Sequence, residues 1–164
     1  MRKKFAPIIF LTIALIFINS CTGYKPIFSS SNIKFDIADY SIEGDKKIAK
    51  QIYAKLNNLS KNNSYKDQTD VKSIYINISV SKKKNPTIKN SAGKILEYKI
   101  NMNTQISVKN YLTGNKLMDS SFNYSSSYKV QDQYSETKKL EDRSLDDLIN
   151  KTYQDLLIKL ISSL

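Results

Sequence analysis

The sequence predicts an α+β fold: a two-layer sandwich whose four-stranded, mainly antiparallel sheet is covered on one face by two helices. Three observations predict it. Four segments alternate apolar and polar residues with the period of two that a half-buried strand requires, and two others repeat apolar residues at helical spacing. Each alternating segment has one apolar and one polar face, the pattern of an antiparallel sheet covered on one side. The segments follow in the order β-α-β-β-β-α, and two amphipathic helices suffice to cover the apolar face of one such sheet. A chain of 164 residues has room for one domain of this kind.

Residues 1–20 read as a lipoprotein signal peptide. Met1-Arg2-Lys3-Lys4 is positively charged, and Phe5 to Ile18 then runs fourteen residues without a charge. As a helix that stretch is shorter than a hydrocarbon core of ~30 Å, so it reads as an export signal and not as a membrane span. Ile18-Asn19-Ser20-Cys21 follows. An aliphatic residue at −3, a small one at −1 and then Cys resembles the lipobox of bacterial lipoproteins. There the Cys is diacylated on sulfur, the signal is cut off before it, and the new amine is acylated. An ordinary signal peptide with a chance Cys near its end is the alternative. Cys21 is the only cysteine of the chain and falls where the lipobox needs it. Residues 21–32, interrupted by Gly23, Pro26 and Ser29-Ser30-Ser31, read as a lipidated tether. Several acyl chains together hold a protein stably at a membrane. Thr22, in place of the Asp that favours inner-membrane retention, leans toward the outer membrane.

Residues 33–164 form the single folded domain. Ile33, Phe35 and Ile37 alternate with Lys34 and Asp36, a half-buried strand. Gly44 then punctuates, and Asp45 is placed to cap a helix over about 45–59, where Ile48, Ala49, Ile52, Tyr53, Leu56 and Leu59 share one face. A polar loop begins at Ser60. The second strand sets Ile74, Ile76, Ile78 and Val80 on one face. The third sets Leu96, Tyr98, Ile100, Met102, Ile106 and Val108 there. Thr113-Gly114-Asn115 signals a hairpin turn. The fourth strand aligns Met118, Phe122, Tyr124, Tyr128 and Val130. Ser144-x-x-Asp147 fits the start of a closing helix, whose stripe holds Leu145, Leu148, Ile149, Thr152, Tyr153, Leu156, Leu160 and Leu164.

Charge is uneven. The formal +11 falls to +8 once Arg2, Lys3 and Lys4 leave with the signal. Residues 46–116 alone hold fifteen Lys and three acids, a local +12, while both flanks are slightly acidic. A basic middle argues for an anionic partner or surface. Its densest part is Lys82-Lys83-Lys84 with Lys89 and Lys94, placed in the loop joining the second and third strands. Lys is a mobile point charge without the planar fork of Arg, so diffuse contact with phosphate or carboxylate is the expected mode. The alternative is a solvated loop in a chain whose Lys content reflects codon bias. Tyr65, Tyr75, Tyr111 and Tyr134 fall off the apolar stripes and offer amphipathic contact area, or are scattered surface aromatics.

Several chemistries are remote. The chain has no His, so a Ser-His-Asp triad, a Cys-His pair and a His-ligated zinc site are excluded. One Cys closes no intrachain disulfide, and four Gly build no phosphate-cradling loop. Asp146-Asp147 near Glu141-Asp142 suit the positive end of a helix better than a catalytic pair. The expectation is a protein that is not an enzyme, with no metal and no cofactor beyond the covalent lipid on Cys21.

The lipobox, the start Cys21-Thr22-Gly23-Tyr24-Lys25-Pro26-Ile27-Phe28, the element order, and Gly93-x-x-x-Glu97-Tyr98 opening the third strand together resemble the LPS-assembly lipoprotein family LptE. The resemblance implies a non-enzymatic lipoprotein, anchored on the periplasmic side of the outer membrane. It implies that the protein assembles with and plugs an LptD-type β-barrel in lipopolysaccharide transport to the cell surface. In that family basic residues implicated in lipopolysaccharide contact lie just before the turn Gly of the second hairpin and just ahead of the last helix. The nearest here are Lys89 and Lys94, then Lys138 and Lys139. Nucleic acid is not an expected partner of an exported chain. The rival expectation is a stand-alone lipid-anchored binding module, such as an auxiliary of a lipid or small-ligand transporter.

Overall fold

The structure, a computed structural model, describes residues 35–62 and 71–164. The predicted signal peptide, the predicted tether with Cys21, Ile33 and Tyr65 lie outside the described residues. Strand β1 (Phe35–Gly44), helix α1 (Lys46–Asn62), strands β2 (Lys72–Lys89), β3 (Ile95–Asn110) and β4 (Lys116–Lys129), and helix α2 (Tyr134–Ser163) follow in the predicted order. The sheet order is β1-β2-β3-β4. The chain returns from α1 in the direction it left, so β1 and β2 are parallel, whereas β2, β3 and β4 form an antiparallel meander.

In β1 a bulge between Ile37 and Asp39 shifts the register by one residue, so the odd-numbered alternation of Phe35 and Ile37 gives way to Ile42. Gly44 adopts φ 72°, and a Cβ there would lie 2.1 Å from the Val80 carbonyl oxygen. Only glycine fits that approach, and it lets the next residue, Asp45, donate its N–H to the same oxygen at 2.7 Å. Asp45 then caps α1 by accepting the Ile48 N–H at 3.2 Å. The helix runs a turn beyond its expected end at Leu59. Ser60 is buried there and its hydroxyl donates to the Phe35 carbonyl at 3.2 Å, so the residue expected to open a loop anchors a helix to β1.

Ile74, Ile76, Ile78 and Val80 of β2 pack with Ile100, Met102, Ile106 and Val108 of β3 and with Met118, Phe122 and Tyr128 of β4. Ile48, Ile52 and Leu56 of α1, and Leu148, Ile149, Leu156, Leu157 and Leu160 of α2, close the core from the same side. The opposite sheet face is polar. Both helices therefore cover one face, as predicted.

Two further boundaries differ from the sequence expectation. Residues 82–89 were expected in a loop, but β2 continues through them, paired with β3 from Lys82↔Met102 to Lys89↔Ile95. Every residue of 81–89 is exposed, so no hydrophobic layer holds this half. Backbone pairing holds it instead, closed by a turn in which Asn90 Oδ1 accepts the Ala92 N–H at 3.1 Å and the Lys94 N–H at 2.8 Å. The register slips beside Pro86, which has no N–H to give the ladder. The last helix starts ten residues before Ser144, which is buried mid-helix and caps nothing. Thr137 ties the start down: its hydroxyl oxygen accepts the Gln131 N–H at 2.8 Å. The first turns are polar and carry the pairs Lys138–Asp142 and Lys139–Glu136, so apolar periodicity does not reveal them.

Candidate functional site

The far halves of β2 and β3 carry Lys82, Lys83, Lys84, Lys89, Lys94 and Lys99; β4 flanks β3 as far as Glu97↔Lys129, so only the tip about the Asn90 turn projects as a two-stranded arm. Alternation along β2 divides these lysines between two faces. Lys82 and Lys84 point to the helix side. Lys82 Nζ lies 3.5 Å from Asp45 Oδ2 at the start of α1, and Lys84 Nζ lies 2.7 Å from Glu141 Oε2 on α2. Lys83 points to the open face, where it borders a depression of about 400 Å³ among Ser81, Asn101, Asn103, Asn123 and Ser125.

Lys84 is built into the fold. Its ammonium lies 4.4 Å from the Tyr98 ring centroid and 5.5 Å from that of Tyr128. Tyr98 and Tyr128 are paired across β3 and β4, and their rings stack at 5.9 Å. The Tyr128 hydroxyl also donates to Glu141 Oε2 at 3.0 Å. Burial opposes the charge on Lys84, but its bonds with Glu141 and Tyr128 outweigh this and raise its pKa above the ordinary lysine value. Burial likewise works against ionised Glu141, and the hydrogen bonds from Lys84 and Tyr128 reverse it, holding the carboxyl below the usual carboxylate value. Burial first, then Glu141, raises the Tyr128 phenol.

The predicted basic residues thus fall into two groups. Lys138 lies 3.9 Å from Glu141 and 2.7 Å from Asp142, so the structure brings Lys84 and Lys138 together on one carboxylate. Lys139 pairs with Glu136 at 3.0 Å. Both Lys138 and Lys139 lie inside α2, not ahead of it. Lys82, Lys84, Lys138 and Lys139 are accordingly neutralised locally. Lys83, Lys89 and Lys94 are exposed and have no carboxylate partner among the described residues. Sequence reasoning missed Lys99 beside them, and it missed the supports Tyr98, Tyr128 and Glu141. The two tyrosines were visible on the apolar stripes as core residues. Of the expected surface tyrosines, Tyr111 and Tyr134 are exposed, while Tyr75 is half-buried and donates to Ser41 at 2.8 Å.

No family model and no curated protein matches the chain. Solved structures do match its fold. Rare lipoprotein B from Shewanella oneidensis is similar with a TM-score of 0.53 at 13% identity, over 76% of this chain and 94% of that one. An uncharacterized lipoprotein B from Nitrosomonas europaea is similar with a TM-score of 0.54 at 13% identity, over 86% of this chain and 90% of that one. At such identity the likeness is one of fold.

Proposed function

We propose that the chain is a non-enzymatic outer-membrane lipoprotein, lipidated on Cys21, that assembles with and plugs an LptD-type barrel in lipopolysaccharide transport. The reading is carried by one conjunction: the lone cysteine stands at a lipobox, ahead of a domain whose fold resembles solved lipoproteins of the rare lipoprotein B type. The exposed arm supports it further. Lipid A carries phosphates and the inner core of lipopolysaccharide carries carboxylates, and Lys83, Lys89, Lys94 and Lys99 offer uncompensated positive charge to such groups. Lys82 and Lys84 hold the base of the arm to the helices, while Lys138 and Lys139 pair within α2.

Purification of the tagged, lipidated full chain from outer membranes in mild detergent, with mass spectrometry, tests the reading. One large β-barrel recovered near one to one is the expected result. Recovery as a lone monomer overturns it and favours a stand-alone binding module.

A further inference from the structure

The sheet has two edges, and they are built differently. An edge strand presents unpaired backbone N–H and C=O groups, and proteins blunt such edges with bulges and charges. β1 is blunted both ways. It has the bulge between Ile37 and Asp39 and the acids Asp36, Asp39 and Glu43, and Tyr40 is stacked on Tyr53 at 4.0 Å between centroids. β4 has neither device along its centre. Ser120 to Tyr128 is nine consecutive residues without a charge, Pro or Gly. Its pairing with β3 is unbroken from Met118 to Lys129.

A groove runs beside this edge, between β4 and the C-terminal half of α2. Its volume is about 320 Å³, and Phe122, Tyr124, Asp155, Ile158 and Lys159 line it. Ile158 is 53% exposed and offers apolar surface with nothing packed over it among the described residues. Two ammonium groups overhang the aromatic rings: Lys159 at 4.9 Å from Phe122 and Lys151 at 4.6 Å from Tyr124. Neither has a carboxylate oxygen within 4.0 Å among the described residues, and Asp155 between them accepts the Tyr124 hydroxyl.

We propose that the β4 edge and this groove receive an extended segment of a partner polypeptide, with aliphatic residues at alternate positions and a carboxylate near its end, as an added strand. Main-chain bonds to β4 supply the affinity, the Phe122–Ile158 floor takes an aliphatic side chain, and Lys151 and Lys159 select the acid. A second copy of this chain fits less well. Full antiparallel overlap of two β4 strands sets Lys116 opposite Lys129 at both ends, and like charges directly opposite repel. The inference does not depend on the barrel reading.

The test uses the full chain in detergent and an acetylated nine-residue peptide of alternating valine and threonine, closed by glutamate at both ends. Hydrogen exchange read by mass spectrometry is expected to slow at least tenfold within 120–128 when the peptide is added. A central proline in the peptide should abolish this, and lysine in place of glutamate should weaken binding at least tenfold. Ile158→Asp and Lys159→Glu, both at exposed positions, should each weaken binding about tenfold while circular dichroism stays unchanged. Absence of slowing in β4, or equal binding of the lysine-ended peptide, overturns the proposal. So does slowing in β4 that rises with protein concentration alone, which assigns the edge to a second copy.

Discussion

Lys84 Nζ lies 2.7 Å from Glu141 Oε2, joining residues 57 positions apart and tying the base of the basic arm to α2. The bond fixes a sign for the pH dependence. The Glu141 pKa is held below its ordinary value, so its contribution to stability is present above about pH 4.5 and is lost as pH falls through the lower folded value. Lys84 is shifted the other way, so its contribution persists up to its ordinary value and is lost only as pH rises through the higher folded one. Glu141→Gln is expected to lower stability at pH 7 by about 1 kcal/mol, a figure already reduced for the solvent that both side chains still meet. Urea titrations at several pH values check it: wild type and variant should converge as pH falls below the ordinary glutamate value of about 4.5.

Gly44 and Gly93 both have positive φ, 72° and 80°, but differ in surroundings. A Cβ at Gly44 collides with the Val80 carbonyl, whereas one at Gly93 meets nothing within 4 Å. Gly93→Ala should therefore cost only the left-handed penalty of about 1–2 kcal/mol. Gly44→Ala adds a backbone collision and should cost on the order of 3 kcal/mol or more. Paired denaturation curves give the two values.

Thr104 lies fully buried on the apolar face of β3, paired between Val80 and Phe122, and its hydroxyl has no partner among the described residues. An unsatisfied buried hydroxyl costs about 1–3 kcal/mol, and valine has nearly the same shape. Thr104→Val is thus expected to raise stability by about 1 kcal/mol, read as a higher denaturation midpoint at unchanged slope.

The division of the lysines predicts a division in binding. The triple change Lys83→Gln, Lys89→Gln, Lys94→Gln should weaken association with vesicles containing lipopolysaccharide about a hundredfold, at about 1 kcal/mol per lysine near an anionic surface. The triple change Lys82→Gln, Lys138→Gln, Lys139→Gln should weaken it several-fold at most. Co-sedimentation at rising salt checks both, since exposed charges lose their effect as screening increases.

These contrasts follow what hydropathy carries and what it does not. The alternation of Ile74 to Val80 and the helical stripe of Leu148 to Leu160 are records of burial, and both were legible in the sequence. Residues 82–89 and 134–143 bury little, so nothing in their hydropathy marks them as strand and helix. A backbone ladder with the Asn90 turn holds the first, and the Gln131–Thr137 bond with ion pairs holds the second. The same limit applies at the site. The run Lys82-Lys83-Lys84 announces positive charge, but strand alternation sends Lys83 to one face and its neighbours to the other. The carboxylate that neutralises Lys84 is set by tertiary packing.

The most direct measurement places a photocrosslinking amino acid at position 89, 94 or 138 of the full chain in growing cells and blots for lipopolysaccharide adducts. Adducts at 89 and 94, with none at 138, are the predicted result. Adducts at 138 alone, or at none of the three, would contradict a role for the arm in lipopolysaccharide contact.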